Sequence, residues 1–295
     1  MSVLKGFLAA FTAISLWALG LVLIKLLSSY FHVFTQNFCR YSSAAIILLI
    51  MKCFRGCRFT KDIVKKALLP AFLVFLFQNI TVSGVYMTST VTASLIMRLN
   101  IIFSSFFAYL FLKEERRLIK SPVFMASLIL SLTGAIGISL KGGIENLQLD
   151  LGSLLVLLGS MIWGLYLVSV KKVLYTVDTL TSSAMIFTLS SLMFVPLTYF
   201  VGELDAPFKA PLVIVVIMVV SGILSVGLGN FFNYIAMKEI GVSVSSLIGV
   251  FTPFLTAVFS FIILGEAITM AQVIYGSLII LGFLILVIGK ERIEG

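Results

Sequence analysis

Residues 91–114 read VTASLIMRLNIIFSSFFAYLFLKE, and residues 243–266 read SVSSLIGVFTPFLTAVFSFIILGE. Laid over each other at an offset of 152, Ser94-Leu95-Ile96 falls on Ser246-Leu247-Ile248, Phe107 on Phe259, Leu112 on Leu264 and Glu114 on Glu266. At the same offset Gln78 falls on Asn230. At an offset of 146, Trp17 and Lys25 fall on Trp163 and Lys171. The six-residue change requires only a difference in loop length. Matches of Leu and Ile between apolar segments come cheaply, so the Trp, Lys and Glu matches carry the inference. The chain reads as two repeats, 1–142 and 143–295.

Each quoted stretch is also an apolar run of the length that crosses a bilayer, about 20 residues. The 295 residues are 60% hydrophobic and 11% charged, against roughly 25% charged in a soluble domain. So few charges cannot cover a water-facing surface, and lipid must cover most of it. Apolar runs recur at 7–27, 34–51, 67–86, 91–112, 122–140, 152–170, 180–200, 211–236, 243–264 and 270–288. In lipid the backbone must satisfy its own hydrogen bonds, so each run is expected to be a helix. The fold class is all-α integral membrane, ten transmembrane helices as two five-helix repeats. The run after Lys5 is too long for the apolar part of a signal peptide and no clear cleavage site follows it, so it reads as the first span.

The basic residues fix the orientation. With the N-terminus inside, sixteen Lys and Arg fall on inner segments: Lys5; Lys52, Arg55, Arg58, Lys61, Lys65 and Lys66; Lys113, Arg116, Arg117 and Lys120; Lys171 and Lys172; Lys238; Lys290 and Arg292. Only Lys141 and Lys209 fall outside, and Lys25, Arg40 and Arg98 lie within or at the edges of spans. That asymmetry is what the cytoplasmic face selects, and it places both termini in the cytoplasm. It also accounts for the net charge of +9 without nucleic acid as a partner. Because five spans is an odd number, the second repeat is inverted. Inverted repeats place a solute site near the midplane where the halves meet, with alternating access by rocking one half on the other.

The sequence resembles the EamA-type branch of the drug/metabolite transporter superfamily over nearly its whole length. The resemblance rests on the doubled five-helix unit, Trp17 and Trp163 early in each half, and Arg40 in helix 2. Its strongest segment runs from Thr252-Pro253-Phe254 through Leu264-Gly265-Glu266 to Gln272, Gly276 and Gly282. The first half departs from the pattern. It has Leu99-Asn100-Ile101 where a proline is usual, and Lys113-Glu114 where Gly-Glu is frequent. The resemblance implies export or exchange of amino acids or other small metabolites.

Arg98 is the sharpest candidate for substrate binding. It lies about two turns inside helix 4, and Ser94, Arg98, Ser105 and Tyr109 share a helical face. An intramembrane charge is costly and faces the bundle interior or water. Its fork suits a carboxylate or phosphate; the competing role is a bond to carbonyls or snorkelling outward. Arg40 is closer to the outer surface and reads as orienting or structural. Lys25 and Lys171 end symmetric helices, as gates or as plain flanking charges. Asn79, Tyr86 and Asn230 either line a polar cavity or join helices. Trp17 and Trp163 are cavity walls or packing, and Ser94 and Ser246 accompany them by repeat symmetry. Pro253 with Gly249 is expected to kink helix 9. Gly222, Gly227 and Gly229 permit close helix packing.

The function classes narrow accordingly. There is no HExxH, no intramembrane Asp pair and no phosphate loop, and the single His, His32, falls in an outer loop. The chain is not expected to be an enzyme and calls for no metal or cofactor. Cys53 and Cys57, with Cys39, read as reduced thiols. No Asp or Glu lies mid-span, which disfavours proton coupling through a buried carboxylate. The expectation is a secondary transporter in the cytoplasmic membrane, an exporter, facilitator or exchanger of small organic solutes, anionic or zwitterionic ones favoured. The alternative is a flippase for lipids or lipid-linked headgroups, and a channel is disfavoured.

Overall fold

A computed structural model describes residues 2–56, 59–88, 93, 96–140, 150–264 and 270–294. Ser94, Gly265 and Glu266 lie outside the described residues, as do the side chains of Lys25, Tyr86 and Gln272. Among the described residues there is no strand. The helices are α1 (Ser2–Leu27), α2 (Val33–Cys53), α3 (Lys61–Met87), α4 (Asn100–Phe111), α5 (Pro122–Ser139), α6 (Leu151–Leu174), α7 (Thr179–Val201), α8 (Leu212–Ile240), α9 (Val242–Ile248), α10 (Thr252–Leu264) and α11 (Met270–Glu294).

Among the described residues seven helical spans are long and apolar enough to cross a membrane: α1, α2, α3, α6, α7, α8 and Val242–Phe259, which runs through α9 into α10. An eighth joins Ile96–Phe111 to Lys113–Ile119 across a bend of 113°. Pro122–Gly137 and Val273–Ile288 are shorter apolar helices. The bend is local chemistry. Leu112 is extended (φ −119°, ψ 100°), and the basic run that follows turns away as a 3-10 turn (Lys113–Glu115) and a short helix (Arg116–Ile119). The sequence places a loop there.

The chain forms two compact units, each drawing on both sequence repeats. The first comprises Met1–Asn79 with Ser169–Glu239; the second comprises Ile80–Val168 with Ile240–Gly295. In the first, α2 packs on α7 and on a π-helical stretch of α8, Gly222–Leu228, which also meets α1. Its aromatic core sets Tyr41 4.8 Å from Phe194 and 5.8 Å from Phe187 between ring centres, with Phe75 5.0 Å from Phe194. Asp178 caps α7, accepting from Thr181 N at 3.0 Å.

Small residues set the packing of the second unit, as they do where helices associate without a hydrophobic drive. A Cβ at Gly84 would meet the carbonyl oxygen of Gly152, and a Cβ at Gly159 would meet Thr81 Oγ1, so α3 and α6 touch backbone to backbone. Gly164 fits against Phe103 and Ser104 of α4. Gly134 and Gly137 of α5 receive Tyr275 of α11, and Gly282 of α11 receives Ser131. At Gly249, where a kink is expected with Pro253, the helix tightens within one candidate span, Val242–Phe259. A 3-10 turn, Gly249–Phe251, separates α9 from α10, and Thr252 Oγ1 donates to Gly249 O at 2.7 Å. The Gly249 carbonyl, which Pro253 cannot meet for lack of an N–H, is therefore occupied locally.

Candidate functional site

The second unit carries Arg98 on the helical stretch Ile96–Phe111. Its Nε is buried without a hydrogen-bond partner, and among the described residues no carboxylate pairs with it. That one donor forgoes its usual compensation, and an unmet buried donor costs about 1–3 kcal/mol, more when charged. Ser105 Oγ on α4, Ser246 Oγ on α9 and Thr256 Oγ1 on α10 are likewise buried without partners. At about 1.5 Å per residue, Arg98 stands about 20 Å from the bend at Leu112, whereas Ser246 lies only about 6 Å into α9. The two do not share a level. Thr81 Oγ1 on α3, also buried and unmet, lies against Gly159, the neighbour of the Ser160 that reaches Ile96 O, and Thr256 lies about 20 Å along from the start of α9. α6 passes alongside, with Ser160 Oγ donating to Ile96 O at 3.3 Å and Gly164 against Phe103. That brackets the level of Trp163, whose ring sits 5.1 Å from that of Tyr166.

The first unit holds the amides. Asn79 Nδ2 donates to Phe75 O at 2.9 Å and Asn230 Nδ2 to Val226 O at 2.9 Å, each within its own helix. Their carbonyl oxygens, Asn79 Oδ1 and Asn230 Oδ1, are buried and unmet. Neither amide joins two helices through these bonds. Gln78 does, donating to Asn37 Oδ1 at 3.0 Å. Trp17 lies on the bare backbone of Gly229, where a Cβ would stand 2.9 Å from the indole nitrogen.

Arg40 differs from Arg98 in every respect that matters. It is 4% exposed, its Nε donates to Ser221 Oγ at 3.0 Å and its Nη2 to Ser225 Oγ at 2.7 Å. Gly222 lets α8 approach the Arg40 backbone, since a Cβ there would be 2.5 Å from Arg40 O. The π-helical stretch begins at this residue. Such stretches widen a helix by one residue per turn and mark functional or strained places; here the widening accompanies two hydroxyls turned onto one guanidinium. Lys171 is 7% exposed, and its Nζ donates to Met237 O at 2.5 Å and to Lys238 O at 3.4 Å. It is a cation on the carbonyl end of α8, where the helix dipole favours one. Sequence reading missed Ser221, Ser225 and the buried Glu115. Hydroxyls one turn apart facing a span-embedded Arg were the available signal for the first two.

The family follows from comparison with known proteins. The model of the EamA-like transporter family matches residues 4–140 and again 150–288. The chain belongs to the EamA-like transporter family. It is similar to an uncharacterized transporter of Haemophilus influenzae, 21% identical over 292 residues, covering 94% of this chain and 95% of that one. It is also similar to the uncharacterized transporter YyaM of Bacillus subtilis, 25% identical over 269 residues, covering 89% and 87%. A solved structure titled only as a crystal structure of a protein shares the fold, with a TM-score of 0.83 and 18% identity over 98% of this chain and 99% of that one. This EamA-like chain is a multi-pass membrane transporter, not an enzyme. Its substrate is a small molecule, its surroundings are lipid, and the family model occurs in it twice.

Proposed function

We propose that this EamA-like transporter moves anionic or zwitterionic small organic metabolites, amino acids among them, across the cytoplasmic membrane by alternating access. The observation that carries the reading is Arg98, a guanidinium at membrane depth whose Nε has no partner and which no described carboxylate neutralises. A solute carboxylate or phosphate supplies what the protein withholds, a fork-matched acceptor. In the rest of the reading, ten spans form two inverted repeats with both termini inside. The seven long helices, the bent pair and the two shorter apolar helices supply the spans. The pairing of α2 with α7, of α4 with α9 and of α5 with α11 supports the repeat, since each pair joins equivalent helices of the two halves. With Arg98 as the central charge and no carboxylate beside it among the described residues, an exporter, facilitator or exchanger fits better than a proton-driven pump.

The test is counterflow in proteoliposomes loaded in turn with amino acids, nucleotide sugars and phosphorylated metabolites. At least one anionic or zwitterionic solute exchanges, and Arg98→Ala weakens its affinity ten- to a hundredfold, the equivalent of about 1.5–3 kcal/mol for a bond to a charged group. Transport and affinity retained in Arg98→Ala would falsify the anchor. Uptake driven by an imposed proton gradient counts against the uncoupled reading.

A further inference from the structure

The segment after the bend at Leu112 has no part in the reading above, yet two adjacent residues of opposite charge in it each close the end of a helix. Glu115 is 6% exposed. Its Oε1 accepts from Val242 N at 2.6 Å, and its Oε2 accepts from Ser243 N at 2.8 Å and from Ser243 Oγ at 2.6 Å. These are amides of the first turn of α9, which have no partner within the helix and form the positive end of its dipole. The next residue faces the other way. Arg116 Nε donates to Tyr109 O at 2.8 Å and its Nη2 to Leu110 O at 3.0 Å, carbonyls in the last turn of α4 and the negative end of that dipole. Gly241 enters α9 at φ +91°, and a Cβ on it would stand 3.1 Å from Glu115 Oε1. Only a residue without a side chain delivers the α9 amides to the carboxylate in this way.

We propose that Glu115 and Arg116 are positioning residues that fix the axial register of α9 and α10 against α4. An ordinary cap stabilises one helix. Here the carboxylate and the guanidinium belong to neighbouring residues, whose Cα atoms are about 3.8 Å apart. The end of α4 and the start of α9, more than 120 residues apart in sequence, are therefore held through one peptide link. A slip of a single residue along the axis is about 1.5 Å, which stretches bonds of 2.6–2.8 Å well past the limit of about 3.2 Å. The register set here passes through the Thr252–Gly249 bond to Thr256, whose buried hydroxyl has no partner. The role at the transport site rests on Arg98 as anchor; the register itself does not.

The test reads register without any substrate. In a background with Cys39, Cys53 and Cys57 replaced by Ser, Thr256→Cys is a single reporter, and its rate of alkylation by N-ethylmaleimide is measured in proteoliposomes. Ser127→Cys on α5, buried in the same unit, is the control. The Thr256→Cys rate rises in the order Glu115→Asp, Glu115→Gln, Glu115→Ala, reaching at least tenfold, while the Ser127→Cys rate holds within twofold. Gly241→Ala, which keeps the charge and crowds the carboxylate, raises the Thr256→Cys rate as well and covers the case in which Glu115→Ala does not fold. An unchanged Thr256→Cys rate in folded Glu115→Gln and Gly241→Ala overturns the proposal, and so does an equal rise at both reporters. Counterflow that ignores Arg98 would refute the anchor and leave these rates as they are, so the two failures are told apart.

Discussion

Two arginines lie within the spans of this protein, and the sequence offers almost nothing to separate them. Three dimensions do. Arg40 spends donors on Ser221 and Ser225, whereas Arg98 leaves Nε unmet, which is the basis for proposing it, and not Arg40, as the solute anchor. Substituting each by Ala should split the readouts. Arg40→Ala leaves two buried hydroxyls facing a void and lowers the unfolding midpoint by several degrees, at about 2–4 °C per kcal/mol, with solute affinity as the lesser effect. Arg98→Ala changes the midpoint little and affinity strongly. Equal effects of the two on both thermal unfolding and counterflow would sink the distinction. Arg98→Lys tests the fork, since charge retained without bidentate geometry should restore only part of the affinity. Asp178 gives the pH counterpart outside the membrane. Burial pushes its carboxyl upward, but the Thr181 hydroxyl and amide and Lys52 at 3.7 Å outweigh this and hold it below the usual carboxylate range. A folded-state value lowered in this way contributes stability above the unfolded value, near 3.9, and loses it as pH falls through the folded one. Asp178→Ala should therefore cost about 1 kcal/mol at neutral pH, as lost helix caps do, with the difference fading below pH 4 in thermal melts. Glu115 shows why residue roles are poorly legible in sequence. The repeat offset singles out its neighbour Glu114, and nothing local says which of two adjacent carboxylates reaches a helix end more than 120 residues away.

At the scale of elements, sequence does better where hydrophobic length decides and worse where packing does. The described helices lie over the apolar runs, with α1, α3 and α11 extending five or six residues beyond theirs, because a bilayer leaves a spanning backbone no other option. The tightening at Gly249–Phe251 was legible from Pro253. The π-helical stretch Gly222–Leu228 was not, because its cause lies on α2: the Arg40 backbone demands a bare Gly222. Gly222→Ala consequently meets backbone rather than a yielding side chain, and overpacking of that kind costs about 1–3 kcal/mol. Gly249 is the contrasting case. A Cβ there meets nothing within 4 Å and its φ is −54°, so Gly249→Ala should be neutral or stabilise by about 0.4–1 kcal/mol through the unfolded chain. Thermal unfolding of the two variants side by side checks this, and equal losses would show that the packing at Gly222 is not what constrains α8.

The whole molecule divides differently from its sequence. The family model fits residues 4–140 and 150–288, close to the repeats read from Trp, Lys and Glu offsets, and this duplication is a matter of ancestry and pattern. Compactness follows other lines. One unit takes Met1–Asn79 with Ser169–Glu239, the other Ile80–Val168 with Ile240–Gly295. A fragment ending at residue 142 therefore contains α2 without α7, its packing partner, and α5 without α11. It lacks the Ser221 and Ser225 hydroxyls that meet Arg40, and it has Glu115 without the α9 amides. Each lost partner of a buried charge costs several kcal/mol, comparable with the whole stability of an ordinary protein, about 5–15 kcal/mol. Fragments 1–142 and 143–295, expressed singly, should be inserted but unable to pack, and each should be degraded or aggregate in mild detergent. Expressed together they supply both halves of each unit, so they should co-purify and give one unfolding transition near that of the intact chain. The measurement is size-exclusion chromatography and thermal unfolding of the singly and jointly expressed fragments. A fragment 1–142 that is monodisperse and unfolds cooperatively on its own would mean that the repeat, rather than the interleaved unit, is the body that folds.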